Sequence, residues 1–85
     1  MAVVIALNIA YGKLESAIEA LVNRPEITWI SATTGLFDVV ALARFSSTDS
    51  LSDFLTKQLG HMEGVKDSQT LTCFDVKKGR YIPLT

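Results

Sequence analysis

Ile27-Thr28-Trp29-Ile30-Ser31-Ala32-Thr33-Thr34-Gly35-Leu36-Phe37-Asp38-Val39-Val40-Ala41-Leu42-Ala43-Arg44-Phe45 reads as two strands and the turn that joins them. Both flanks are rich in β-branched and aromatic residues, and a glycine sits in the polar break between them. The strands are expected over roughly residues 27–34 and 37–45. Gly35 can take a positive φ that a residue with a Cβ resists. Asp38 follows three residues later and brings a carboxylate to the start of an apolar strand. Two roles are open to it. It can accept hydrogen bonds from turn amides and fix the hairpin. Alternatively, it orders a loop in which Gly35 leaves backbone amides exposed, and the two together make a small polar pocket.

Elements on either side of the hairpin complete the pattern. Val3-Val4-Ile5-Ala6-Leu7-Asn8-Ile9 is an almost continuous apolar run with β-branched residues, as in a strand covered on both faces. Leu14, Ala17, Ile18, Leu21 and Val22 then form one stripe of a helix, with Lys13, Glu15, Ser16, Glu19 and Asn23 opposite. Pro25 closes that helix, because the residue before a proline is pushed out of the helical region. Ser46-Ser47-Thr48-Asp49-Ser50 is rich in capping residues, and Ser50 with Asp53 has capping-box spacing. Leu51, Phe54, Leu55 and Leu59 repeat the apolar stripe, and Gly60 suits the position just past a helix end. A loop from His61 to Lys66 leads into a last strand over about 68–76, where Thr70 and Thr72 alternate with Leu71 and Cys73.

The order is therefore β-α-β-β-α-β, the ferredoxin-like motif of an α+β fold: a four-stranded antiparallel sheet with two helices on one face. Its first and third strands are central, and they are the most uniformly apolar strands here. Val3, Ile5, Leu7 and Ile9 alternate with Ala2, Val4, Ala6 and Asn8; Val39, Ala41, Ala43 and Phe45 alternate with Val40 and Leu42. Neither strand has a properly polar face. The helices cover only one side, so a second copy of the chain is expected to cover the other.

Composition narrows the function. Residues 1–85 make one small domain, with a hydrophobic fraction of 48% and 20% charged residues. Net charge is −1, from 8 Lys+Arg against 9 Asp+Glu, which gives no electrostatic footprint for nucleic acid. Lys77, Lys78 and Arg80 form a short basic cluster that reads as a solvated end. A single Cys and a single His supply neither a disulfide nor a zinc or iron–sulfur spacing, so no metal or cofactor is expected. Cys73 falls in an apolar strand pattern and is expected to be an inert buried thiol. The run from Ala2 to Leu7 is too short for a membrane span and lacks a basic flank, so a cytoplasmic location is expected.

The chain resembles the effector-binding (RAM) domain of the Lrp/AsnC family of transcriptional regulators over about Val3 to Val76. The turn T-G-x-aromatic-D carries the resemblance as Thr34-Gly35-Leu36-Phe37-Asp38. It continues in Gly64-Val65 leading into Ser68-Gln69-Thr70-Leu71-Thr72, and in the opening strand followed by Tyr11-Gly12-Lys13 and an amphipathic helix. This resemblance implies homodimers formed sheet to sheet, their assembly into octamers, and a small effector, usually an amino acid, bound between dimers. It also implies that Gly35, Leu36, Phe37 and Asp38 line one wall of the pocket and that Thr70 and Thr72 lend hydroxyls from the last strand. Such groups suit a zwitterion, which needs donors for its carboxylate and an acceptor for its ammonium. Those regulators carry a helix-turn-helix domain before this region, and DNA binding belongs to it. The chain starts directly at the first strand, as a stand-alone effector domain or as a fragment of a regulator. Lys77-Lys78-Gly79-Arg80-Tyr81-Ile82-Pro83-Leu84 is similar to the tail of full-length regulators.

Two other classes share the strand order. A dimeric α+β barrel enzyme would need a general acid or base, and the lone His61 has no titratable neighbour in sequence to orient it. An ACT-like module would bind its amino acid at a glycine-bearing loop after the first strand, where Tyr11-Gly12 lies.

Overall fold

A computed structural model describes residues 1–79. One antiparallel sheet has the strand order β2-β3-β1-β4, built from β1 (Ala2–Ile9), β2 (Ile27–Ala32), β3 (Val39–Arg44) and β4 (Val65–Cys73). Helix α1 spans Leu14–Val22. Helix α2 (Thr48–Asp53) runs on without a break into a π-helical turn, Phe54–Gln58, and a 3-10 turn, Leu59–His61. Both helical segments pack on the same face of the sheet, so the fold is the ferredoxin-like α+β architecture.

Register explains the core. Val3 pairs with Ala43, Ile5 with Ala41 and Leu7 with Val39, and all six side chains are at most 1% exposed. Ala17 and Leu21 of α1 close over them, together with Leu51, Phe54 and Leu59. Phe45 and Phe54 meet with ring centroids 5.3 Å apart at 60°, a tilted contact that suits the aromatic quadrupoles. Leu14 and Val22, expected in the α1 stripe, are exposed: the buried stripe narrows to Ala17 and Leu21, with Ile18 half-buried beside them.

The opposite face of the sheet carries a second apolar row. Trp29 pairs with Leu42, Leu42 with Val4, and Val4 with Leu71, so four large side chains cross all four strands at one level. Below them lie Ser31, Val40, Ala6 and Gln69. Among the described residues no helix covers this face, and Leu71 is 63% exposed.

Several boundaries differ from the sequence expectation. A register shift between Ile27 and Trp29 puts Ile27 opposite Ala43 on the helix side and Trp29 opposite Leu42 on the open side, although strict alternation would place them together. Ser47, not Ser50, caps α2: Ser50 N–H donates to Ser47 Oγ and Ser47 N–H donates to Ser50 Oγ, both at 3.1 Å. Gly60 lies inside the 3-10 turn. Of Gly60 and Gly64 it is Gly64 that has a positive φ, at +92°, where the chain turns into β4 at Val65. Cys73 is exposed, because β4 is an edge strand and the cysteine faces outward opposite Ala2. Among the described residues no helix is long and apolar enough to cross a membrane.

Gly64 also marks a tight approach, the closest at any described glycine. A Cβ there would stand 2.6 Å from Lys13 Cβ, and Gly64 O accepts the Ala10 N–H at 2.7 Å. The Lys13–Glu63 ion pair, 2.8 Å long and exposed, bridges the same two loops. It raises the Lys13 pKa and lowers that of Glu63, through their hydrogen bond first and their charges second. Gly64→Ala is expected to lower stability by about 1–3 kcal/mol, from a strained φ and a displaced Lys13 together. Urea denaturation would measure it as a shift in midpoint with unchanged slope.

Candidate ligand-binding turn

The turn between β2 and β3 protrudes from one end of the sheet. Thr33 N–H donates to Asp38 O at 2.9 Å, and Thr33 Oγ1 donates to Phe37 O at 2.7 Å, so the loop is closed at its base. Gly35 has φ +118° with nothing within 4 Å of a Cβ built there, and Leu36 beside it is 86% exposed. Among the described residues, the amides of Thr34, Gly35, Leu36 and Phe37 donate no hydrogen bond within the chain. These four N–H groups, unpaired among the described residues, are donors that an anionic oxygen can meet.

Asp38 sits at the foot of this turn and is half-buried. Its own N–H donates to Leu7 O at 2.9 Å, and its Oδ2 accepts the N–H of Ile9 at 2.8 Å. The carboxylate therefore reaches across to β1 instead of folding back on the turn's own amides.

Thr70 and Thr72 lie elsewhere in the single chain. They are on β4, opposite Ile5 and Val3, whereas the turn joins the sheet at the level of Leu7. The central strand β1 separates them from β3. One chain brings Gly35, Leu36, Phe37 and Asp38 together and does not bring the threonines to them. The start of β4 level with the turn is Val65–Ser68, where a cleft of about 180 Å³ opens against Leu55, Leu59 and Gly60. His61 is exposed on the 3-10 turn, and among the described residues no group of three or more His, Cys, Asp or Glu could hold a metal ion.

The sequence profile of the Lrp/AsnC ligand binding domain matches residues 2–82. The chain belongs to this family. An uncharacterized HTH-type transcriptional regulator of Pyrococcus furiosus is 31% identical over 78 residues, which cover 92% of this chain and 53% of the relative. This Lrp/AsnC domain spans about half the length of the curated relatives it matches. Those relatives are named as transcriptional regulators, and none as an enzyme. Among solved structures, Escherichia coli AsnC superposes with a TM-score of 0.87 at 20% identity, covering 93% of this chain and 54% of that one. A Neisseria meningitidis transcriptional regulator, solved as a complex with L-Met, superposes with a TM-score of 0.80 at 22% identity, covering 96% and 55%. At these identities the superpositions establish the fold shared by Lrp/AsnC domains.

What sequence reasoning missed is the partner of Asp38. Asp38 and Ile9 are 29 residues apart, and no local spacing rule connects them. The only available signal was topological: in a β-α-β-β-α-β fold the start of the third strand lies beside the end of the first.

Proposed function

We propose that this domain binds an amino acid effector at the β2–β3 turn and acts as the effector-binding and assembly unit of an Lrp/AsnC-type transcriptional regulator, on its own or as part of a longer one. The observation that carries the reading is the run of four unpaired amides from Thr34 to Phe37 around Gly35. They suit the carboxylate of an amino acid, and Leu36 and Phe37 offer apolar contact to its side chain. The turn is a convex tip in one chain, so an enclosed pocket requires a second surface. A neighbouring copy supplies it, and Thr70 and Thr72 contribute as that copy's β4 hydroxyls. The apolar row on the open sheet face supports a face-to-face homodimer, with further assembly bringing turns and strands of different dimers together. The L-Met complex of the Neisseria regulator favours an amino acid over other metabolites. DNA contact falls to a helix-turn-helix domain, consistent with a net charge of −1 here.

A thermal-shift screen of the twenty amino acids tests this. A ligand at a hundred times its dissociation constant adds about 2.7 kcal/mol, which moves the melting temperature of a domain this size by several degrees. One or a few amino acids are expected to shift it. A flat response from all twenty on the assembled protein would remove amino acids as the effector class.

A further inference from the structure

We infer that Asp38 is a positioning residue: its carboxylate stands in for a missing strand residue beside Ile9, and so holds the β2–β3 turn in the form that leaves its amides free. The inference deepens the proposed effector site and rests on that reading for its ligand arm only.

The pairing of β1 with β3 ends at Leu7–Val39. Along a strand, alternate residues direct both backbone polar groups to the same neighbour. Leu7 O accepts from Asp38 N–H, so the N–H of Ile9, two residues on, also faces the β3 side. The chain has already turned away there, and no β3 backbone group is left for it. Ile9 is 8% exposed, so an unmade bond at this amide would not be readily replaced by water. Asp38 Oδ2 fills the gap at 2.8 Å.

The next residue completes the logic. Ala10 N–H faces the other way and donates to Gly64 O at 2.7 Å. Two consecutive amides, of Ile9 at the end of β1 and of Ala10 just beyond it, are thus tied to opposite sides, one to the effector turn and one to the loop before β4. Asp38 holds the first of these ties, and its backbone N–H and C=O are committed as well, to Leu7 and Thr33. A residue held by two backbone bonds and one side-chain bond is suited to shaping the turn. Its charge is not needed for that, because any acceptor oxygen at the same place serves.

Two substitutions separate geometry from charge. Asp38→Asn keeps an acceptor oxygen at the same distance and removes the charge. Asp38→Glu keeps the charge and moves the oxygens by one methylene. The first readout needs no ligand: hydrogen exchange of the Ile9 amide by NMR, referenced to the Ile5 amide of the same protein so that global stability cancels. Protection at Ile9 is expected to stay within about threefold of the parent in Asp38→Asn and to fall more than tenfold in Asp38→Glu, on a local-opening scale. The second readout is affinity for whichever amino acid the thermal screen identifies, and it is expected to fall further in Asp38→Glu than in Asp38→Asn. Unchanged Ile9 protection in Asp38→Glu would overturn the strap. Retained protection with lost affinity in Asp38→Asn would show instead that the charge meets the ligand directly. If no amino acid binds the parent protein, the effector reading fails, and the exchange measurement still decides the role of Asp38.

Discussion

Leu42→Lys is expected to yield a folded monomer. Leu42 lies in the middle of the open-face row, between Trp29 and Val4, and its side chain takes no part in the core under the helices. In an isolated chain the new ammonium reaches water, so secondary structure is retained. In a face-to-face dimer the same ammonium is shut into an apolar seam, at a cost of several kcal/mol. Each 1.4 kcal/mol is tenfold in the association constant, so dimerisation weakens by about a hundredfold or more. Light scattering behind a sizing column reads the outcome directly. A parent protein that already runs as a 9.3 kDa monomer at micromolar concentration would remove the premise.

Gly35→Val is expected to abolish effector binding while leaving the fold intact. Its φ of +118° is a conformation that a β-branched residue resists, at about 1–3 kcal/mol. The turn then either stays strained or rearranges, and the backbone geometry that leaves the four amides free is lost. There is open space around Gly35, so the loss does not arise from a clash in the core. Gly12, with φ +80° at the β1–α1 turn and also in open space, provides the control. Gly12→Val imposes a comparable backbone penalty at a turn outside the proposed site, and affinity is expected to stay within about threefold of the parent, a difference below 1 kcal/mol. An ACT-like site would invert the pair, with Gly12→Val lethal to binding and Gly35→Val tolerated. Isothermal titration with the effector distinguishes the two.

Much of this fold was legible in the chain because apolar patterning determines which strands are central. The runs around Ile5 and Ala41 are apolar on both faces, and both became inner strands with one face under helices and one face open. Alternation failed where an extra residue enters the ladder. The shift between Ile27 and Trp29 is invisible to a period of two, and it decides that Trp29 belongs to the open face. Local capping spacing was degenerate, since Ser47–Ser50 and Ser50–Asp53 both satisfy it, and only the geometry of the chain entering α2 selects the first. Gly60, read as the residue just past the helix end, lies inside the helical run instead. The π-helical and 3-10 turns after Asp53 carried the helix past Gly60, and a positive φ falls at Gly64, where Lys13 also leaves no room for a Cβ. At the candidate site, the turn and its glycine were readable from residue types. The Ile9 contact of Asp38 was not, because it depends on how two strands separated by a helix and another strand come to lie side by side.

The most direct test of the effector site is an NMR titration of the ¹⁵N-labelled protein with the amino acid that raises its melting temperature. The amides of Thr34, Gly35, Leu36 and Phe37 are expected to show the largest shifts on saturation, with Ile9 following through Asp38. Shifts concentrated instead around Tyr11–Gly12, or in the cleft between Leu59 and Ser68, with the 34–37 amides unmoved, would place the ligand elsewhere and contradict the account.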